Sequence, residues 1–184
     1  MVNSFKTYIF AALKVKEIEG TESPLFSYLK MFEEKVSQLL EEFLVTRDDL
    51  FLISLDVSDN NSIKVIIDGD KGVSVQDCVA ASRAIEHNLD RDEIDFSLEV
   101  TSAGATAPLL IPRQYKKNLS RKLVVKEITG DSWEGELVKA DEEKITLKWK
   151  AREPKPVGKG KVTVTKEQNI SINNIQEAKV KLQF

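Results

Sequence analysis

At 184 residues and 20.7 kDa the chain has room for one ordinary domain or two small ones, and 41% hydrophobic with 31% charged residues exclude a disordered composition. A single cysteine, Cys78, and a single histidine, His87, exclude an internal disulfide and a Cys/His zinc site, which fits a reducing, intracellular setting. The net charge of -3 conceals a split near Pro112: residues 25–111 carry 7 Lys+Arg against 17 Asp+Glu, a balance of -10, while residues 112–184 carry 17 against 10, a balance of +7. An acidic half joined to a basic half suggests two functional surfaces, the basic one suited to an anionic partner such as nucleic acid.

Residues 1–24 read as an extension, disordered in expectation, with 3 basic against 3 acidic residues. Its apolar run Tyr8-Ile9-Phe10-Ala11-Ala12-Leu13 is too short to span a bilayer and lacks the pattern of a secretory signal. Met31 is an alternative start of the native protein, which its mass would decide. From Met31 a helical stripe of Phe32, Val36, Leu39, Leu40 and Phe43 predicts an amphipathic helix. Residues 50–57 and 62–68 are β-rich runs separated by Ser58-Asp59-Asn60-Asn61, which predicts a hairpin. Ser74 and Asp77 then stand in capping-box spacing before a helix whose expected buried face is Val75, Cys78, Val79, Ile85 and Leu89. Residues 95–101 alternate as a half-buried strand. The expected fold of residues 25–111 is an α+β domain in the order α-β-β-α-β, two helices on a small sheet.

The second half predicts one short helix near Pro112–Leu119, with Pro112 at its start where a missing N–H costs nothing. Strands follow at 122–126, 132–138, 144–149 and 161–164, with a last one around 177–182. Five short strands with tight turns in residues 112–184 predict a small closed or half-open barrel. The segment holding Lys148, Lys150, Arg152, Lys155, Lys159 and Lys161 is interrupted by Pro154, Pro156, Gly158 and Gly160. It reads as a long mobile basic loop between two strands, able to meet phosphate backbones without reading sequence. Trp149 alternates with Lys148 and Lys150, so a place on the core face outranks base stacking.

No enzymatic constellation emerges. His87 lies near a helix C-terminus, where a cation is stabilised by the helix dipole. Cys78 follows Asp77, whose charge raises rather than lowers a thiol pKa. The loop Asp68-Gly69-Asp70-Lys71-Gly72 lacks the ligands of a calcium loop, and no phosphate-cradling glycine motif is present. No catalytic residue, metal or cofactor is expected; were there an unrecognised activity, Asp56, Asp68 and Asp70 are the first residues to substitute.

Between the halves, Glu99-Val100-Thr101-Ser102-Ala103-Gly104-Ala105-Thr106-Ala107-Pro108-Leu109 runs from a strand into small residues. With Gly72-Val73-Ser74-Val75-Gln76-Asp77-Cys78, Gln114-Tyr115, Gly135-Glu136-Leu137 and Asp141-Glu142-Glu143, it resembles the RimP family of bacterial ribosome maturation factors from about Leu25 to the C-terminus. Family members commonly carry Pro and an Asp-Arg pair where this chain has Ala103 and Thr106-Ala107. The resemblance implies an N-terminal α+β domain (25–111) and a C-terminal SH3-like or Sm-like barrel (112–184). It also implies a non-catalytic, cytoplasmic factor that binds the immature small ribosomal subunit, with a ribosomal protein and rRNA as partners and no membrane. In the family the barrel is tied to docking a small-subunit ribosomal protein at the decoding side. A monomer is expected. Lys148, Lys150, Arg152, Lys155, Lys159 and Lys161 are the candidate rRNA contacts; Glu99, Ser102, Gly104 and Pro108 form a candidate partner-contact loop. The alternative is a stand-alone Sm-like RNA-binding module regulating messages.

Overall fold

The computed structural model describes residues 24–58, 60–155 and 160–182. The chain divides into two compact units, the first ending at Ala103 and the second beginning at Gly104. Residues 104–111 carry no charge, so the balances of -10 and +7 apply unchanged to a division at either place.

In the first unit, helix α1 (Pro24–Val45) begins seven residues ahead of the predicted start at Met31; the rest of the expected extension lies outside the described residues. Its stripe is as the spacing requires. Phe32, Val36 and Leu40 are buried, with Leu39 and Phe43 packed at their margin. Strands β1 (Leu50–Val57) and β2 (Ser62–Gly69) form the antiparallel hairpin, whose turn places Asn61 at φ 56°, a conformation Asn tolerates better than most residues. Ile63, Val65 and Ile67 alternate onto the helix-covered face. Helix α2 (Val75–Glu86) then returns the chain to β3 (Ser97–Ser102), which pairs parallel with β2 in the order β1-β2-β3.

Helix α2 departs from its expected face. Ala81, Ile85 and, just beyond the helix, Leu89 are buried and Cys78 packs beside them, but Val75 is 80% and Val79 42% exposed. At about 100° per residue, Val79 lies a quarter turn from Cys78, too far around for a stripe centred on Cys78, Ala81 and Ile85. The helix start is held by a full capping box. Ser74 Oγ accepts from the Asp77 N–H at 3.2 Å, and an Asp77 carboxylate oxygen accepts from the Ser74 N–H at 2.8 Å. The Ser74 hydroxyl donating to that carboxylate at 2.6 Å, then the Ser74 N–H, then the Arg47 guanidinium at 2.8 Å pull the Asp77 carboxyl down to about 2. Ser74→Ala is expected to destabilise the unit by about 1 kcal/mol in urea unfolding. Because the folded pKa of Asp77 lies below its usual 3.8, its contribution is complete above that pH and is lost as pH falls from about 4 toward 2. Asp77→Asn should remove this part of the acid dependence, and an unchanged acid profile would refute the assignment.

In the second unit, helix α3 (Pro112–Lys117) precedes β4 (Lys122–Glu127), β5 (Ser132–Ala140), β6 (Lys144–Pro154), β7 (Lys161–Ser171), a 3-10 turn (Ile172–Asn174) and β8 (Ile175–Val180). The five strands form one antiparallel sheet in the order β7-β6-β5-β4-β8. Hydrogen bonding leaves β7 and β8 as its edges, so the ladder is not closed. Leu123, Val125, Leu137, Ile145, Leu147 and Ile170 fill its core around Tyr115 from α3. Ile111 has no side-chain acceptor for the first N–H groups of α3; Gln114 Oε1 instead reaches back to accept the Leu110 N–H at 2.7 Å and the Ile111 N–H at 3.4 Å ahead of the helix.

Most of the predicted long basic loop is strand. Strand β6 continues five residues past the predicted Trp149, to Pro154, and β7 runs on to Ser171, so Lys148, Lys150, Arg152 and Lys161 all lie on strands. Pro154, paired with Lys161, is the last rung, where an absent N–H is tolerated. The Lys155 N–H to the Gly160 carbonyl, 3.1 Å, follows it.

Candidate nucleic-acid interface

Strands β6 and β7 pair along eleven rungs, from Lys144↔Ser171 to Pro154↔Lys161. On its other side β6 pairs with β5 only as far as Glu136↔Lys148. Beyond Lys148 the two strands therefore run on as a two-stranded ribbon, and no described residue from Trp149 to Lys166 is buried. An isolated two-stranded ribbon is marginal in water, so its root matters. There Trp149 packs against Trp133 with ring centroids 5.7 Å apart, and the Trp133 indole N–H donates to Glu127 Oε1 at 2.6 Å. Trp149 is thus half-buried at the edge of the core, in the place its alternation suggests. Gly135 lies between Trp133 and Leu137 on the inner face of β5. A Cβ there would stand 2.9 Å from the Lys148 carbonyl oxygen, so the close crossing of β5 and β6 at the ribbon root requires glycine.

The pleat sorts the ribbon's side chains onto two faces. One carries Lys148, Lys150 and Arg152 from β6 with Glu167, Thr165 and Thr163 opposite them on β7, and Lys161 opposite Pro154. The other carries Trp149, Ala151 and Glu153 with Lys166, Val164 and Val162. Glu153 and Lys166 form an ion pair on that second face. On the first, Lys148 Nζ lies 3.0 Å from Glu167 Oε1, and its β5 neighbour is Glu136, itself opposite Lys122. Lys122, Glu136, Lys148 and Glu167 thus make a row of alternating charge across four strands. Such exposed pairs contribute only about 0–1 kcal/mol each, but the row cancels much of the local positive potential.

The structure therefore separates the candidate rRNA contacts. Lys150, Arg152 and Lys161 share one face, exposed, with no acidic residue opposite them. Lys148 shares the face but is matched to acids. Lys155 is exposed at the ribbon's end, and Lys159 lies outside the described residues. Thr163 and Thr165 belong to the same surface. The alternation Val162-Thr163-Val164-Thr165 marks a strand, but only the register reveals which lysines it faces.

The four residues of the other candidate loop divide between the units. Glu99 and Ser102 are exposed on β3, opposite Lys64 and Ile67 of β2. Gly104 and Pro108 belong to the second unit. The Gly104 carbonyl accepts the Ala107 N–H at 2.9 Å in a turn, and Pro108 precedes Leu109, whose N–H donates to the Ala178 carbonyl at 2.8 Å.

Elsewhere, the Cys78 thiol is pushed up by burial and then by Asp77, which works against a thiolate nucleophile. His87 caps the C-terminus of α2, its N–H donating to the Arg83 and Ile85 carbonyls. Asp68 is buried, with Oδ1 accepting the Gly69 N–H. Among the described residues no group of three or more His, Cys, Asp or Glu side chains could hold a metal ion, and no helix is long and apolar enough to cross a membrane.

The chain thus carries an α+β unit with an acidic balance followed by a five-stranded unit with a basic balance and a two-stranded ribbon. Residues 39–106 match the family model described as the RimP N-terminal domain. The chain is 58% identical over 154 residues to the ribosome maturation factor RimP of Christiangramia forsetii, covering 84% of this chain and 100% of that protein. It is 48% identical over 153 residues to RimP of Flavobacterium psychrophilum, covering 83% and 99%, and 35% identical over 146 residues to RimP of Porphyromonas gingivalis, covering 79% and 95%. The chain belongs to the RimP family of ribosome maturation factors.

Proposed function

We propose that this protein is a non-catalytic ribosome maturation factor that binds the immature small (30S) ribosomal subunit in the cytoplasm and assists its assembly as a monomer. The observation that carries the reading is the match along essentially the whole length of relatives named for ribosome maturation. The charge split supports a division of labour: the unit with a balance of -10 holds a basic ribosomal protein, and the ribbon of the unit with a balance of +7 faces rRNA. Glu99, Ser102, Gly104 and Pro108 contribute partner contacts. The strand order β7-β6-β5-β4-β8 with a 3-10 turn before the last strand supports reading the second unit as SH3-like. Preferential affinity for a pre-mature conformation shifts the assembling population toward the competent subunit without any covalent step.

The alternative, an Sm-like module regulating messages, is not favoured by the relatives. Sedimentation of a cell extract through sucrose separates the two. The protein should travel with free small subunits and be absent from translating ribosomes; finding it with messenger RNA and absent from small subunits would overturn the assembly role. Crosslinking to purified small subunits then identifies the ribosomal protein and rRNA segment touched.

A further inference from the structure

We propose that the paired strands of the β6–β7 ribbon grip an RNA backbone through one face only, with Lys150 and Arg152 as their contacts and Lys148 excluded. This rests on the reading of the basic unit as the rRNA-facing one and adds which face and which cations do the binding.

Three observations converge. First, Lys150 and Arg152 lie two residues apart on one strand, so they point the same way at a separation of about 7 Å, comparable to the spacing of successive phosphates along a strand. Second, their cross-strand neighbours are Thr165 and Thr163, which place neutral hydroxyl donors beside the cations where an acid would repel phosphate. Third, Lys148 is flanked by Glu136 and Glu167 and already pairs with Glu167 at 3.0 Å, so an approaching phosphate meets two carboxylates there. The opposite face offers no comparable surface. Within the paired strands its one lysine, Lys166, is paired with Glu153, and its other positions beyond Trp149 are Ala151, Val162 and Val164. Because β6 has no partner but β7 beyond Lys148, the binding face stands clear of the rest of the sheet.

Arginine suits this role, since its planar guanidinium engages phosphate oxygens bidentately. The grip is on the backbone alone and carries no sequence preference.

The test uses the full chain and an RNA hairpin of arbitrary sequence, with affinity measured across a salt series. Lys150→Ala with Arg152→Ala should lower the log–log salt slope by about 1.5, because two phosphates are no longer neutralised, whereas Lys148→Ala should leave the slope within error. Glu167→Gln should increase the slope by nearly 1, because it releases Lys148 to meet a further phosphate. All four substituted side chains are exposed, and unchanged circular dichroism confirms that the sheet persists. Equal effects of Lys148→Ala and of the Lys150/Arg152 variant would overturn the exclusion of Lys148, and a comparable fall in slope on Lys166→Ala, on the opposite face, would overturn the one-face assignment; either leaves the rRNA-facing reading intact. No effect from any of these, together with undiminished binding to small subunits, would overturn both. Capture of an acidic protein instead of the RNA hairpin would point to a protein partner for the ribbon and equally overturn the proposal.

Discussion

Neutralising Lys150, Arg152, Lys155 and Lys159 together is expected to weaken binding to small ribosomal subunits on the order of a hundredfold at moderate salt and to lower the log–log salt slope by about 3. Each cation that meets a phosphate releases condensed counterions, so removing four cations removes four shares of that entropy. Lys150 and Arg152 lie on the ribbon beyond the compensated row of Lys122, Glu136, Lys148 and Glu167, which the substitutions leave alone. The fold should be indifferent, since none of the described positions is buried and exposed charge pairs contribute little. Filter binding or sedimentation of wild type and variant at several salt concentrations measures the slope directly. Unchanged affinity and unchanged slope would end the assignment of the ribbon to rRNA.

The largest expected effect on stability comes from Tyr115. It is 1% exposed, it sits at the centre of the second unit's core, and its hydroxyl donates to the Leu109 carbonyl at 3.3 Å. Tyr115→Ala leaves a ring-sized cavity and should cost about 3–5 kcal/mol, seen as a fall in Tm of about 10 °C or more. Burial also pushes its phenol from 10.0 up to about 12. The neutral, protonated form is the one the core accepts. The folded pKa therefore exceeds the unfolded one, so this stability is complete below pH 10 and is lost as pH rises from 10 to 12, by about 2–3 kcal/mol. Tyr115→Phe keeps the ring, costs about 1 kcal/mol at neutral pH and should flatten that alkaline decline. Urea unfolding from about pH 8 to about pH 11.5 distinguishes the two, and an identical alkaline decline in wild type and Tyr115→Phe would show that lysine titration, not Tyr115, governs it.

Helix α1 and the hairpin of β1 and β2 were legible because their apolar residues repeat with the helical period and then with the period of two, and both elements bury one face. The capping box at Ser74 and Asp77 was equally legible, since its partners are three residues apart. The exposure of Val75 and Val79 was not, because two valines near the helix start fit an amphipathic stripe until the position of the core fixes its centre. The ribbon misled for a related reason. Pro154, Pro156, Gly158 and Gly160 are punctuation in the sequence, and nothing local says that strand pairing persists to Pro154 before they take effect.

The sequence by itself determined that the chain has an acidic α+β part and a basic β-rich part, that it belongs with a ribosome maturation family by its motifs, and that its cations cluster between Lys148 and Lys161. Composition and local periodicity are properties of short segments, so no fold is needed to read them. Only the tertiary structure decided which of those cations are free. Between β6 and β7 the register pairs residues up to twenty-seven positions apart, Lys144 with Ser171, and a one-residue slip would have set Lys150 opposite Lys166 or Val164 instead of Thr165. The charge split that the net value of -3 concealed is a matter of composition. The split within the basic cluster itself, Lys148 matched to acids and Lys150 and Arg152 not, exists only once the strands are paired.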